Sequence, residues 1–403
     1  MKMMKRILAL ALALVMAFCL SAVAFASAEE PSTPAYPGDQ TSVTVKKEYK
    51  LENTGMTSPA ETFQLIQTNK EFGDDVIKDN NDTVPDLPKA KNTDGTEVGD
   101  KTIGSNAYRV VSQVSVAEGD AGKKNDDNTV VYHNFVITLP NANLFPNVGT
   151  YKYTLKEVES TTAGVTCRED TLLLVITVIN AEGSTSNHLR IAAVHTEKPE
   201  NGVYGTKENG KKSDTIDNTY SAGTLNVKKL VSGKLADTKD TFKFTVNFVA
   251  PEGLNVNSTI NYGENKNIVP SDWKDVTDSE TNTTRKVATV EIELKHDATV
   301  SFTNIPYGVA WSVTEESPTE KGYTSTSFVV TSTSNTTGTT GNVLTAYDSN
   351  GISDAVTNVV FTNFKDGNID MGVTLDSLPY ILALAVAFGG AVVMITRKRH
   401  VED

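Results

Sequence analysis

Leu225-Asn226-Val227-Lys228-Lys229 alternates apolar and polar side chains until its last residue, where the apolar position is taken by a lysine. Successive side chains of a strand point to opposite faces, so Lys229 shares the inward face with Leu225 and Val227, and Lys228 points out. Further along, Trp311-Ser312-Val313-Thr314-Glu315 puts a glutamate on the apolar face, and Phe361-Thr362-Asn363 an asparagine. The same three parts occur earlier in the same order: Val43-x-Val45-x-Lys47, Tyr153-x-Leu155-x-Glu157 and Ile216-x-Asn218-x-Tyr220. Parity with Val43 and Val45 selects Lys47 from the cluster Lys46, Lys47 and Lys50.

One ionisable group at an inward position is costly to bury, but a Lys, a Glu and an Asn that meet there can satisfy one another. In a shared dry site burial pushes the amine toward its neutral form and the carboxyl toward its protonated form. Those are the states that a Lys–Asn amide cross-link requires.

Around these motifs the composition is that of an exported β protein: Thr, Val, Asn, Ser and Gly crowd the middle, and no long stretch between the termini has a helical period. The alternation predicts strands over Val130–Leu139, Tyr151–Glu157, Thr171–Val178, Thr241–Val249, Lys286–Leu294, Thr299–Phe302, Val309–Thr314 and Ser325–Thr331. Short strands set between Gly, Asn, Asp and Pro clusters indicate β-sandwiches. The expected architecture is all-β, with two tandem Ig-like β-sandwich modules over residues 40–221 and 222–366. Ser221-Ala222-Gly223 reads as a short small-residue hinge between them. The segments Asp74–Thr102 and Ser332–Ser349 read as solvated loop insertions.

The paired motifs resemble the streptococcal-type pilin isopeptide-linkage domains of Gram-positive surface fibres, over roughly residues 40 to 366. The resemblance implies two isopeptide bonds: Lys47 to Asn218 with Glu157 as catalytic acid, and Lys229 to Asn363 with Glu315 as catalytic acid. A neutral amine would attack the side-chain amide carbon, ammonia would leave, and the protonated carboxyl would polarise the amide carbonyl. Such chemistry turns over once, so the chain is expected to be no enzyme toward external substrates, and neither a cofactor nor a metal is implied. The implied partners are further copies or related pilins, a sortase, and a host or extracellular-matrix ligand.

The ends of the chain set the compartment. Lys2, Lys5 and Arg6 precede the apolar run Ile7 to Phe25, and Ala26-Ser27-Ala28 has signal-peptidase spacing, which predicts a signal peptide over residues 1–28 cleaved after Ala28. Cleavage removes Cys19 and leaves Cys167 alone, so no intramolecular disulfide is available. From Leu378 an apolar run of 18 residues leads to Arg397-Lys398-Arg399. It predicts a transmembrane helix over residues 378–396 with a basic cytoplasmic tail over 397–403. In the family resembled, a sorting signal ending in Thr-Gly precedes this helix. Here, within the segment 367–377, Asn368-Ile369-Asp370-Met371-Gly372 keeps the apolar residue and the Gly but lacks the Pro and Thr, so a plain membrane anchor stands beside sortase cleavage at Met371. The acceptor lysine for polymerisation would be Lys211 or Lys212, in a polar turn shortly before Asn218. Localisation would be the cell wall or surface of a Gram-positive bacterium.

Other classes fit poorly. A net charge of −13 argues against nucleic acid, which needs clustered cations. His133, His188, His195, His296 and His400 have no metal-ligand spacing. Gly210-Lys211-Lys212-Ser213 echoes part of a phosphate loop but lies just before a strand rather than opening a helix. Two alternatives remain: a membrane- or wall-anchored adhesin stalk that does not polymerise, and a carbohydrate-binding surface module. Only Trp273 and Trp311 could supply indole platforms to the latter, and Trp311 lies on an inward strand position.

Overall fold

The computed structural model describes residues 39–53, 56–120, 123–124, 130–181, 189–199, 204, 212–331, 336–339 and 344–367. The signal segment with Ala28, Lys211, Met371, Gly372, the apolar segment 378–396 and the tail 397–403 lie outside the described residues.

Among the described residues the chain is all-β. The first half holds β1 (Ser42–Leu51), β2 (Glu61–Phe72), β3 (Lys101–Ile103), β4 (Asn106–Val116), β5 (Lys123–Lys124), β6 (Val130–Thr138), β7 (Gly149–Glu157), β8 (Val165–Thr166), β9 (Leu172–Asn180), β10 (Leu189–Glu197) and β11 (Thr215–Tyr220). The second holds β12 (Ala222–Ser232), β13 (Thr241–Val249), β14 (Ile260–Tyr262), β15 (Lys266–Ile268), β16 (Lys274–Thr277), β17 (Thr284–Lys295), β18 (Thr299–Pro306), β19 (Ala310–Glu315), β20 (Ser325–Thr331), β21 (Thr336–Thr339), β22 (Leu344–Asp348) and β23 (Val356–Phe364).

The described residues form four sheets, two in each half. The first half pairs β5-β6-β1-β11-β8 with β10-β9-β7-β2-β4-β3. The second pairs β15-β14-β18-β12-β23-β20-β21 with β16-β17-β13-β19-β22. In each half the apolar faces of the two sheets meet in one core. Val45, Tyr49, Phe135 and Ile216 of one sheet join Leu65, Tyr153 and Leu174 of the other. In the second half Leu225, Val227 and Phe361 join Phe244, Val246 and Val313. Burial alternates along β1 and β23, and along β12 from Gly223 onward, as a strand with one buried face requires.

The opening and closing strands of each half are parallel neighbours. In β1 and β11, Lys47 lies opposite Ile216 and Tyr49 opposite Asn218. In β12 and β23, Lys229 lies opposite Phe361 and Val231 opposite Asn363. The two registers are therefore equivalent, with the asparagine two residues beyond the lysine's partner.

All eight strands expected from alternation are present, with ends shifted by a few residues. Among the strands of nine residues or more, alternation missed β2, β4 and β10, and it missed the short edge strands as well. The segment after β2 is no solvated insertion: Val76, Val84, Leu87, Ala90 and Val98 are buried. Ala90, Val98, Val110 and Ile66 make a small second core on the outer face of β2 and β4. Within the stretch 332–349, β21 and β22 add edge strands to the two sheets of the second half. Trp273 and Trp311 are both buried, so neither offers an exposed indole.

The expected hinge is instead a pinned junction. β11 ends at Tyr220 and β12 begins at Ala222, with Ser221 between them buried. Ala163 of the first half packs into the second core, and Ala222 into the first. Ala163 N–H donates to the Asn255 carbonyl at 2.8 Å, and Asn255 N–H to the Thr161 carbonyl at 2.7 Å. The Glu118 carboxylate accepts from both the N–H and the hydroxyl of Thr259. Small residues are here because backbones approach closely. Gly164 has φ +78°, and a Cβ on it would lie 2.6 Å from the Ser221 carbonyl oxygen and 3.1 Å from Pro306 Cβ.

Gly164→Ala therefore meets both a left-handed backbone and a steric clash, worth on the order of 1–3 kcal/mol. The expected outcome is a clear drop in the denaturant midpoint. An unchanged midpoint would show that the junction yields without cost, as a hinge would.

Candidate functional site

In each half a lysine, a glutamate and an asparagine are buried together between the sheets. In the second, β12 carries Lys229 and its neighbour β23 carries Asn363, while β19 of the facing sheet brings Glu315 across the core. In a strand pair, side chains that are diagonal neighbours on one face lie about 7–8 Å apart at their Cα atoms, within reach of a long side chain. Lys229 Nζ lies 2.9 Å from Glu315 Oε1. The same oxygen accepts from Asn363 Nδ2 at 2.6 Å. Glu315 Oε2 and Asn363 Oδ1 have no hydrogen-bond partner among the described residues. Lys229 and Asn363 are 0% exposed and Glu315 is 1% exposed, so water does not compete here.

The first half repeats the plan. Lys47 Nζ lies 2.7 Å from Glu157 Oε1, with both side chains buried. Asn218 is diagonal to Lys47 across β1 and β11 and is buried too. Its amide differs in its partners: Arg168 N–H donates to Oδ1 at 3.2 Å, and Nδ2 donates to Cys167 Sγ at 3.3 Å.

Burial governs the protonation of these groups. Desolvation lowers the Lys229 pKa from 10.5 to about 8, against the opposing pull of Glu315. Lys47 is lowered for the same reason, against Glu157. Glu157 and Glu315 are both raised, again chiefly by desolvation. Each pair is thus driven toward a neutral amine beside a protonated carboxyl, because a charged pair loses more hydration than it regains in attraction. An amine in that state has a free lone pair, and a carboxylic acid beside it can hydrogen-bond to an amide. The arrangement suits amine attack on a carboxamide.

The structure brings together all six residues singled out by parity. Lys46 and Lys228 point outward instead, to Glu48 and Asp297. Lys212 is exposed, with its backbone bridged to Glu197. Sequence reasoning missed the rings that floor each site. Lys47 Nζ lies 4.3 Å from the centre of the Phe63 ring and Lys229 Nζ 4.5 Å from that of Phe242. A signal was present: Thr62-Phe63 and Thr241-Phe242 open the second strand of each half. Cys167 and Arg168 were missed as site residues without any such signal.

With that geometry in hand, three comparisons bear on the chain. Residues 223–364 match a family model described as a domain of unknown function, DUF7601. A pilin of Streptococcus pyogenes serotype M1 is 26% identical over 197 residues, which cover 49% of this chain and 55% of that protein. The chain thus spans about half the length of this curated relative, and by sequence it is pilin-like. Among solved structures, the major pilin of Streptococcus pyogenes is 18% identical with a TM-score of 0.48, covering 81% of this chain and 99% of that one. A pilus-presented adhesin, Cpa, is 16% identical with a TM-score of 0.25, covering 49% of this chain and 36% of that one.

The lowered Lys229 pKa has a pH signature in a chain that holds Lys229 uncoupled from the amide, such as Asn363→Ala. Between about 8 and 10.5 the native state binds fewer protons at this lysine than the unfolded state. Stability therefore rises with pH across that window, and the burial penalty is felt in full below it. The raised Glu315 pKa acts with opposite sign at lower pH, above its usual 4.5. Denaturant midpoints of Asn363→Ala at pH 7.5 and pH 10, set against Asn363→Ala with Lys229→Met, should show the rise only where Lys229 is present. Parallel curves would mean that Lys229 titrates alike in both states.

Proposed function

We propose that the chain is a structural subunit of a Gram-positive surface pilus, built from two Ig-like sandwich modules, 40–221 and 222–366. In this reading each module is stapled by an internal Lys–Asn isopeptide bond. The observation that carries it is the duplicated triplet: the same three residue types, in the same parallel register, dry in both modules. A structural role alone does not call for two buried ionisable pairs, since apolar residues of similar volume would serve stability as well or better.

In the second module the neutral Lys229 amine attacks Asn363 Cγ. Turning the Asn363 amide over about its Cβ–Cγ bond places the unpartnered Oδ1 on Glu315, where the protonated carboxyl donates to it and draws charge from the carbonyl carbon. Nδ2 leaves as ammonia, and the amide joins the opening and closing strands. In the first module the Lys47 amine attacks Asn218 Cγ beside Glu157 with the same loss of ammonia, and there the amide keeps the orientation set by Arg168 and Cys167. Each site reacts once and only on its own chain. Export would follow signal cleavage after Ala28. Polymerisation would use Lys211 or Lys212 as the acceptor amine and the Met371 carbonyl as the donor, handled by a sortase; the helix 378–396 would hold the chain in the membrane until then.

A second reading, an anchored adhesin stalk that does not polymerise, is favoured by one observation. Asn368-Ile369-Asp370-Met371-Gly372, ahead of the apolar run, lacks the Pro and Thr of a sorting signal.

Each bond expels one ammonia of about 17 Da, so the exported chain should weigh about 34 Da less than its sequence mass. Glu157→Ala and Glu315→Ala should each restore about 17 Da. A mass equal to that of the sequence would sink the cross-links. Co-expression with the cognate sortase separates the two readings: a ladder of SDS-resistant high-mass species is expected for the fibre subunit, and deletion of Ile369–Gly372 should abolish it. A single band in the membrane fraction would establish the anchored stalk instead.

A further inference from the structure

The two sites are built alike up to the amide, and there they part. In the second, Asn363 Oδ1 has no partner among the described residues. In the first, the chain leaving β8 runs beside the amide and engages both of its ends. Arg168 N–H donates to Asn218 Oδ1 at 3.2 Å, and Asn218 Nδ2 donates to Cys167 Sγ at 3.3 Å. This flank is itself held. The sulfur also accepts from Ser160 N–H at 3.3 Å. The Arg168 guanidinium donates to the Thr215 carbonyl, on the same strand as Asn218, at 3.2 Å. An amide bonded at both oxygen and nitrogen cannot turn over without losing both bonds, so the Asn218 carbonyl is fixed toward a backbone donor.

We propose that Cys167 is a positioning residue for the first cross-link, and that the Arg168 N–H is the donor that stabilises the oxyanion formed on Asn218. The proposal rests on the Lys–Asn reading above. When the neutral Lys47 Nζ adds to Asn218 Cγ, the new C–N bond forms and the carbonyl π electrons move onto Oδ1, which faces the Arg168 N–H. A fixed donor aimed at the atom where charge develops lowers the barrier, because it need not reorganise as the reaction proceeds. The proton shed by Nζ passes through Glu157 to Nδ2. The Cγ–Nδ2 bond then breaks, ammonia leaves, and Oδ1 becomes a carbonyl again. Cys167 is not consumed. Burial and the nearby Glu157 push its thiol up to about 12, so it stays protonated and does not rival Lys47 as a nucleophile. Its sulfur serves as a weak acceptor that sets the rotation of the amide. In the second module, where Asn363 Oδ1 meets no donor among the described residues, the amide is held through Glu315.

The second module also supplies an internal control. The full chain is synthesised in a cell-free system, quenched in denaturant at intervals, and digested, and the cross-linked peptides of each module are measured by mass. Cys167→Val removes the acceptor at similar volume. It should slow the first bond about tenfold, as loss of one hydrogen bond in the transition state does, and leave the second bond at its wild-type rate. Cys167→Ser restores an acceptor and should return the first bond to within about threefold of wild type. A Cys167→Val chain that closes its first bond at the wild-type rate overturns the proposal. So does a Cys167→Ser chain as slow as Cys167→Val, since packing alone would then explain the loss. Should Cys167→Val leave the first module protease-sensitive, Cys167→Ala takes its place, and wild-type speed there overturns the proposal equally. A wild-type chain that loses no ammonia in either module is a different result and removes the Lys–Asn reading itself.

Discussion

A primary amine and a carboxyl share a cavity from which water is excluded, twice in one chain, and the architecture is arranged around that constraint. Neither group tolerates the interior alone, and together they are tolerated because each relieves the other and because both can shed charge. Bringing them together takes two sheets: the lysine comes from one and the glutamate from the sheet that faces it. The asparagine must then lie on the lysine's own sheet, one strand over and two residues on. That offset holds only while the register is fixed, and a one-residue slip would turn the asparagine to the opposite face. This accounts for the equivalent pairing of β1 with β11 and of β12 with β23.

The sites were legible in the sequence to the extent that a strand's period of two is legible. Lys47, Glu157, Asn218, Lys229, Glu315 and Asn363 each interrupt an otherwise apolar face, and parity alone separates Lys229 from Lys228. What escaped was structure that breaks that period. β2 has an extra residue, Thr68, between Gln67 and Asn69 where it pairs with β7, and β4 has an extra residue, Val111, opposite Leu65 and Ile66, and each such insertion shifts the inward face of its own strand by one position. β4 buries Val110, Val111 and Ser112 in succession, because the segment that includes Ala90 and Val98 covers its outer side. A strand buried on both faces has no alternation to detect. Cys167 and Arg168 escaped for another reason: they act through one sulfur and one backbone N–H on an irregular stretch, and neither leaves a pattern in composition.

The small residues at Ser221-Ala222-Gly223 read in the sequence as the freedom of a hinge. The structure shows closeness. A Cβ on Gly223 would lie 2.3 Å from the Asp354 carbonyl oxygen, and Ser221 donates its N–H to Gly164 and accepts one from Tyr307. Glycine is placed there for the approach of backbones, and the hydrogen bonds between Thr161, Ala163 and Asn255 tie the two halves beside it.

The direct run of β11 into β12 decides where a pulling force would travel. With both amides formed, tension entering near Lys47 passes to Asn218, follows the short run of chain to Lys229, and leaves through Asn363. The residues enclosed between each pair, about 172 and 135, lie off that route. At ~3.4 Å per residue they represent roughly 450–600 Å of chain in each module that cannot be drawn out. The chain would then behave as a short inextensible cord with two folded bodies hung on its side. Its elongation under load would be set by the stretch of backbone between Asn218 and Lys229, and hardly at all by the stability of the sandwiches.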